Sequence, residues 1–264
     1  MTRERRDVFG EAAAQYSRGR PDYADSLFDD LFTYARRLRN VLEVGAGTGK
    51  ATVPLATRGC TVTCLEPDPR MAERLRLECA PYESVSVVVE RLETWRSRVR
   101  FDALVAAQSW HWVDPAVRWD RAAEFVGPGG TLALFGHVYH VNDDAIRREL
   151  LDVDRRYGVD AWGLTPHLGT SANDVRRADT YLAWRDDGTD RDQRFADHVT
   201  RRYQQSLVYP TSRYLDLLAS TSAYRMVDEP SRRELFYDAS RVIAAHGGEV
   251  SLHLSTDLLL ARRT

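Results

Sequence analysis

Short runs rich in β-branched residues alternate with helix-length stretches through the middle of this 264-residue chain, and that alternation restricts its fold most. The runs cover residues 41–44, 61–65, 85–89, 103–106 and 131–135. Strands separated by helix-length connections are typical of βαβ units, whose strands lie parallel in one sheet. The sequence therefore predicts an α/β fold: a parallel sheet with helices on both faces and an antiparallel closing strand or hairpin over 250–261.

Composition narrows the classes of function. The 37 positive and 39 negative side chains leave a net charge of −2, so the chain has no bulk field to attract duplex DNA or long RNA. Three cysteines, Cys60, Cys64 and Cys79, are too few and too unevenly spaced for a disulfide framework or a zinc site. We find no run of 18 apolar residues and no signal peptide, and we expect a cytoplasmic protein.

The segments around these runs predict further elements. Helical patterns cover 5–16 and 21–38, with Pro21 placed to start the second helix. A glycine-rich turn over 127–130 leads into the fifth run. After that run, a helix is expected to start at Asn142, and the polar stretch 171–194 is typical of a loop or lid.

Later in the chain, alternation over 199–208 indicates a strand, and Asp228 precedes an amphipathic helix. We therefore expect four parts: an N-terminal helical cover (1–39), a ligand-binding core (40–139), an α-rich insertion (140–210), and C-terminal helices with closing strands (211–264).

The first run leads directly into a glycine-rich turn, residues 41–50, that restricts the ligand. A P-loop needs four residues between its first Gly and the Gly-Lys pair, but only three separate Gly45 from Gly49, and Ala51 follows the lysine. A dinucleotide fingerprint needs Gly or Ala where this chain has Lys50, which disfavours pyrophosphate. What remains is the pattern acidic-x-Gly-x-Gly-x-Gly, beginning at Glu43.

This pattern resembles the first motif of the class I S-adenosylmethionine-dependent methyltransferases, which have a Rossmann-like fold. The resemblance implies S-adenosylmethionine as cofactor and S-adenosylhomocysteine as product. It implies that the backbone of the turn approaches the cofactor closely and that Glu43 faces its ammonium group or an ordered water. The turn residues assigned to the cofactor in this way are Gly45, Ala46, Gly47 and Gly49.

The resemblance extends past the next two strands. Glu66, with Pro67 after it, falls at the end of the second run, where an acidic side chain can accept both ribose hydroxyls. Residues 91–95 resemble the adenine-binding stretch of one branch of the family. Arg91 stands where many relatives have aspartate, so we expect the Leu92 backbone and apolar contacts to hold the adenine, with Glu93 beside them.

Two more segments carry the resemblance. Residues 106–114, which include Gln108, Ser109 and Trp110, resemble a segment of small-molecule methyltransferases of the type 11, quinone-biosynthesis-like and trans-aconitate-like kind. The motif that nucleic-acid amino methyltransferases place here is absent. At the N-terminus, Tyr16 and Arg20 match the family's helical cover over the cofactor.

Methyl transfer to a hydroxyl or ammonium also needs a base, and His111, His137 and His140 are the titratable groups expected at the ligand edge of the sheet. No carboxylate cluster accompanies them at ligand spacing, so we predict no metal. Aromatic faces attract a sulfonium cation, which makes Tyr16, Trp110 and Trp112 candidates for that role, although each tryptophan is equally typical of a core.

The sequence thus favours in-line methyl transfer to a small molecule by positioning and desolvation, with a histidine base. Aromatic residues of the insertion suit an apolar or aromatic acceptor: Trp162, Tyr181, Trp184, Phe195 and Tyr203. A nicotinamide-linked oxidoreductase on the same fold and a catalytically idle S-adenosylmethionine-binding protein remain alternatives. We expect a monomer or homodimer that binds neither nucleic acid nor membrane.

Overall fold

A computed structural model describes residues 8–159, 161 and 192–264. Its seven strands form one mixed sheet in the order β3-β2-β1-β4-β5-β7-β6. The strands are β1 (Asn40–Val44), β2 (Thr61–Leu65), β3 (Val85–Val88), β4 (Phe101–Ala107), β5 (Val126–Val141), β6 (Phe195–Pro210) and β7 (Glu249–Arg263). Strands β1 to β5 pair in parallel, which confirms the predicted α/β fold.

The described helices are numbered here in chain order. They are α1 (Ala13–Gly19), α2 (Asp25–Tyr34), α3 (Thr52–Thr57), α4 (Pro69–Glu78), α5 (Arg118–Phe125), α6 (Asp144–Arg156), α7 (Thr211–Ala219), α8 (Ser222–Met226) and α9 (Glu229–Ala245). Three of them begin at aspartate caps, because the side chains of Asp68, Asp143 and Asp228 accept backbone N–H groups of the first turn. No helix of the described residues is long and apolar enough to cross a membrane.

Two compact units make up the chain. The core unit comprises 22–136, 181–203 and 256–264, and the second unit comprises 1–21, 137–180 and 204–255. In the core unit, alternate residues of β1 point to opposite faces, so Val41 packs in one hydrophobic cluster and Leu42 in another. The second unit has its own cluster, built from β5, β7 and helices α6 to α9.

Three boundaries differ from the sequence-based expectation. The predicted helix over 21–38 is wrong at both ends, because it begins at Asp25 and ends at Tyr34. Residues 21–24 are not helical: Ala24 is extended, and the Tyr23 ring packs edge-on against Phe135. The turn expected over 127–130 lies within β5, because pairing with β4 begins at Val126 and resumes after a register shift. The N-terminal helix over 5–16 appears as a 3-10 turn (Phe9–Ala12) followed by α1; residues 5–7 lie outside the described part.

Other expectations are met. The predicted strands over 199–208 and 250–261 correspond to β6 and β7, and the helix expected near Asn142 is α6. All three cysteines are buried and free. Most of the polar stretch 171–194 lies outside the described residues, as do Trp162, Tyr181 and Trp184. The described part of the insertion contains α6 and β6, and the four-part division stays a prediction.

In the second unit, α1 packs closely on α7. A Cβ at Gly19 would lie 2.4 Å from the backbone nitrogen of Leu217, and the guanidinium of Arg18 is 2.8 Å from the Asp216 carboxylate. Gly19 therefore allows two backbones to approach more closely than any side chain would permit.

We predict that Gly19→Ala lowers the thermal unfolding midpoint. Helix propensity alone would favour alanine by about 1 kcal/mol, but the new methyl group would overlap backbone atoms that cannot move aside. Differential scanning fluorimetry measures the effect, with Gly127→Ala as the control, because φ is not positive there and the nearest atom would lie 3.7 Å from the new Cβ. A midpoint for Gly19→Ala at or above that of wild type would contradict this packing.

Candidate functional site

The ends of β1 and β2 bring a glycine turn and two carboxylates together in the core unit. Val44 pairs with Leu65 at the ends of these strands, and the turn follows at once. The sheet order reverses between β1 and β4, and α/β sheets bind ligands at the carboxyl ends of their strands at such a point. The structure thus places residues 45–49 where a ligand is expected.

The turn is held by hydrogen bonds from its own backbone. The N–H groups of Gly45 and Ala46 both donate to the Leu65 carbonyl, at 2.8 and 3.2 Å, and the N–H of Gly49 donates to the Ala46 carbonyl at 3.0 Å. Gly45, Gly47 and Gly49 all have positive φ, of 65, 59 and 94°. This left-handed backbone explains why glycine stands at each of the three positions.

Glu66 joins the turn to the end of β2. One carboxylate oxygen accepts the Gly47 N–H at 2.8 Å and the other accepts the Asp68 N–H at 2.9 Å. Burial raises the pKa of Glu66 to about 6, against the opposing effect of these two donors and of the Arg91 guanidinium. Each oxygen has a second lone pair that can accept a ligand hydroxyl.

Glu43 lies below the turn and is only 1% exposed. One oxygen accepts the Thr52 hydroxyl at 2.7 Å, while the other has no hydrogen-bond partner among the described residues. Burial raises its pKa to about 8, and the negative charge of Glu66 adds to the shift. The unpartnered oxygen suits an ammonium group or an ordered water.

The segment after β4 contacts the turn directly. The Ser109 hydroxyl donates to the Val44 carbonyl, and a Cβ at Gly45 would lie 2.5 Å from the Ser109 Cβ. Gln108 adopts φ of 59°, which non-glycine residues rarely do, and its N–H donates to the Phe135 carbonyl at 2.8 Å. Such strained residues cluster at ligand sites.

Comparison with known proteins shows which domain family part of the chain matches. Residues 41–130 match the family described as methyltransferase domain. An uncharacterised methyltransferase of Mycobacterium bovis is 38% identical over 163 residues, which are 60% of this chain and 64% of that protein. One of Mycobacterium tuberculosis strain H37Rv gives the same values. Residues 41–130 of this chain therefore correspond to a methyltransferase domain.

Solved structures agree on the fold of the methyltransferase domain. A protein of Anaeromyxobacter dehalogenans assigned as a type II methyltransferase has a TM-score of 0.61 and 20% identity, covering 92% of this chain and 97% of its own. The Bacillus subtilis protein YcgJ has a TM-score of 0.54 and 12% identity, with coverage of 91% and 99%. At these identities the likeness concerns the fold alone. The chain spans a little under two thirds of the length of the mycobacterial relatives.

Several predicted residues of the methyltransferase domain come together. The glycine turn, Glu43, Glu66 and Ser109 are joined by the contacts above. Leu92 is buried, and Pro67 follows Glu66 directly before the aspartate cap of α4. Glu93 accepts the Asp114 N–H at 3.0 Å, which joins the predicted adenine stretch to the segment after β4.

The aromatic candidates of the domain have different surroundings. Trp110 is fully buried, with its ring 5.1 Å from Trp119 and the Arg118 guanidinium 5.8 Å from its centroid. His111 is exposed and lies 4.7 Å from the Trp112 ring. Trp110 is part of a hydrophobic cluster, and the roles proposed for Trp110, His111 and Trp112 stay predictions.

Four predicted residues belong to the second unit. The Arg20 guanidinium lies 5.2 Å from the Tyr16 ring centroid, and its Nε donates to the Ser220 hydroxyl at 2.8 Å. His140 is buried, and the His137 ring lies 6.1 Å from that of Tyr139. Their predicted roles stay predictions. Among the described residues, no group of three or more His, Cys, Asp or Glu side chains could hold a metal ion.

Two described aromatics of the insertion belong to the core unit. Phe195 is buried against Trp119, and the Tyr203 hydroxyl donates to Asp30 at 2.5 Å. Sequence reasoning missed Arg121, whose side chain reaches the segment after β3. No local sequence pattern distinguishes it, because Arg118 is buried on the same helix.

We predict that Gly45→Ala destabilises the protein more than Gly59→Ala does. Both glycines have positive φ, which costs an L-residue about 1–2 kcal/mol, but only the Gly45 methyl group would overlap Ser109. Urea unfolding of both variants measures the difference. Equal losses of unfolding free energy would show that the Ser109 contact imposes no constraint.

Glu43 should give the stability a pH dependence. Because its pKa in the folded protein lies above the ordinary value, its contribution to stability is fully present below the ordinary carboxyl pKa. That contribution is lost as the pH rises toward about 8. The unfolding midpoint of Glu43→Gln minus that of wild type should therefore be several degrees larger at pH 9 than at pH 6.

Thermal unfolding at the two pH values tests this, with the exposed Glu73→Gln as the matched control. The control should keep the same difference from wild type at both values. A difference for Glu43→Gln that does not change between pH 6 and pH 9 would mean that Glu43 ionises normally.

Proposed function

We propose that this protein is an S-adenosylmethionine-dependent methyltransferase acting on a small molecule. The observation that carries the proposal is the hydrogen bond from the Gly47 N–H to the buried carboxylate of Glu66. This bond holds the Glu66 carboxylate, the proposed acceptor for the ribose hydroxyls, next to the glycine turn at the carboxyl end of β2. The proposed cofactor contacts in the core unit are the turn, Glu43, Glu66, the segment 91–93 and Ser109.

The same contacts argue against a diphosphate. Diphosphate sites use N–H groups of the turn and the helix N-terminus as donors, but here those of Gly45, Ala46, Gly47 and Gly49 are already bonded within the protein. The site therefore favours S-adenosylmethionine over a nicotinamide dinucleotide.

The acceptor groups of the site fit a cationic ligand that carries an amino acid and a nucleoside. Glu66 retains lone pairs for two ribose hydroxyls, and Glu43 has an unpartnered buried oxygen for an ammonium group or a bridging water. When bound, S-adenosylmethionine supplies a methyl group on a sulfonium sulfur. The protein's part is to orient that group toward the acceptor and to exclude water, which can provide roughly 7–11 kcal/mol of the barrier.

A small-molecule acceptor is supported by the sequence of the segment after β4 and by the near-zero net charge. Within the core unit, His111 is the candidate base, because it is exposed at the carboxyl end of β4. We propose no acceptor atom.

Glu66→Ala should weaken binding of S-adenosylhomocysteine. Losing the charged acceptor for the ribose hydroxyls costs about 1.5–3 kcal/mol, or roughly ten- to a hundredfold in Kd. The Kd of Glu66→Gln, which keeps one acceptor oxygen, should lie between those of Glu66→Ala and wild type. Isothermal titration calorimetry measures all three proteins.

Glu73→Gln is the matched control, because its side chain is exposed on α4. Wild-type affinity in Glu66→Ala would remove Glu66 from the site. Wild-type protein that binds NADH but not S-adenosylhomocysteine would overturn the proposed function.

A further inference from the structure

We infer that Arg121 is a positioning residue that holds the segment 91–95 in the shape that selects adenine. The inference rests on the proposed function, because it concerns the adenine part of that same cofactor site. It is carried by the contacts that the Arg121 guanidinium makes from α5 across to this segment.

The contacts engage the whole guanidinium. Nε donates to the Leu92 carbonyl at 3.1 Å, Nη2 donates to the Trp95 carbonyl, and Nη1 pairs with Glu124. The residue is only 9% exposed. A buried arginine requires partners in this way, and a planar fork that reaches two carbonyls fixes their separation as well as their position.

Ring packing supports the same arrangement. The guanidinium lies 4.7 Å from the centroid of the Phe125 ring, and the Trp95 ring lies 4.8 Å from that ring. Phe125 is fully buried. Arg121 and Trp95 thus both pack against the Phe125 ring, so a shift of either one would disturb the packing of the other.

The segment has little other structure of its own. The N–H groups of Thr94 and Trp95 both donate to the Arg91 carbonyl, which forms a single turn. Glu93 is joined to the Asp114 N–H, and the Arg96 side chain reaches carbonyls within the same turn. Arg121, on α5, donates to the Leu92 carbonyl from outside the segment. The position of the Leu92 backbone therefore depends on this contact.

The chemical consequence concerns base selectivity. The Leu92 backbone is the proposed contact of the adenine edge, and a backbone group discriminates an amino from a carbonyl group only when it is held in place. Without the guanidinium, the segment relaxes and the Leu92 carbonyl loses a charged donor. Selectivity between adenine and hypoxanthine should then fall, together with affinity.

The test compares S-adenosylhomocysteine with S-inosylhomocysteine, in which a carbonyl oxygen replaces the adenine amino group. Calorimetry is done on wild type, Arg121→Met, Arg121→Lys and Arg98→Met. For each protein it gives the selectivity ratio, which is the Kd of S-inosylhomocysteine divided by the Kd of S-adenosylhomocysteine. Arg98 is an exposed arginine close to the same segment and is the matched control.

We expect Arg121→Met to lower the selectivity ratio by about fivefold or more, because the forked donor is lost. Arg121→Lys should lower it less, and Arg98→Met should leave it within twofold. A residue that only stabilised the fold would lower the unfolding midpoint and leave the ratio unchanged well below that midpoint.

An unchanged ratio in folded Arg121→Met would overturn the inference. If that variant does not fold, an Arg121→Lys ratio equal to that of wild type would overturn it equally. Wild-type protein that binds neither ligand would contradict the proposed function instead, so the two failures are distinguishable.

Discussion

The hydrogen bond between the Gly47 N–H and the Glu66 carboxylate is the contact on which the rest of the site depends. It closes the glycine turn onto the end of β2, and it requires both the left-handed backbone of the turn and the parallel pairing of Val44 with Leu65. Burying a carboxylate is costly unless donors compensate it. Two backbone N–H groups do so here, and the result is a fixed acceptor beside the turn.

Much of this arrangement could be predicted from sequence because its causes are local. A β-rich run, a glycine turn and a helix-length stretch follow one another, and each aspartate cap lies next to the helix that it begins. Glu66 was predictable for a related reason, since parallel pairing of β1 and β2 brings the residue after β2 close to the residues after β1. The start of α2 was not, because Tyr23 packs against Phe135, more than a hundred residues away.

Arg121 shows why the remaining contacts were hidden. Its Leu92 partner is 29 residues away in sequence, and that partner is a backbone carbonyl, which every residue possesses. An arginine on a helix is usually exposed, so nothing in the local pattern marks this one as buried. Ser109 is a similar case, because its hydroxyl bonds a carbonyl 65 residues earlier. Contacts to backbone atoms leave no complementary residue type for a sequence pattern to reveal.

The two carboxylates beside the turn also differ in what they can offer a ligand. Burial raises the pKa of Glu43 to about 8 and that of Glu66 to about 6, and the negative charge of Glu66 adds to the shift at Glu43. Glu66 is therefore expected to ionise at a lower pH than Glu43. An ammonium group close to Glu43 would lower the pKa of that carboxyl and restore its charge, whereas a diphosphate would raise it further. The burial of Glu43, which raises its pKa, is thus one physical reason for the site to prefer a cationic ligand.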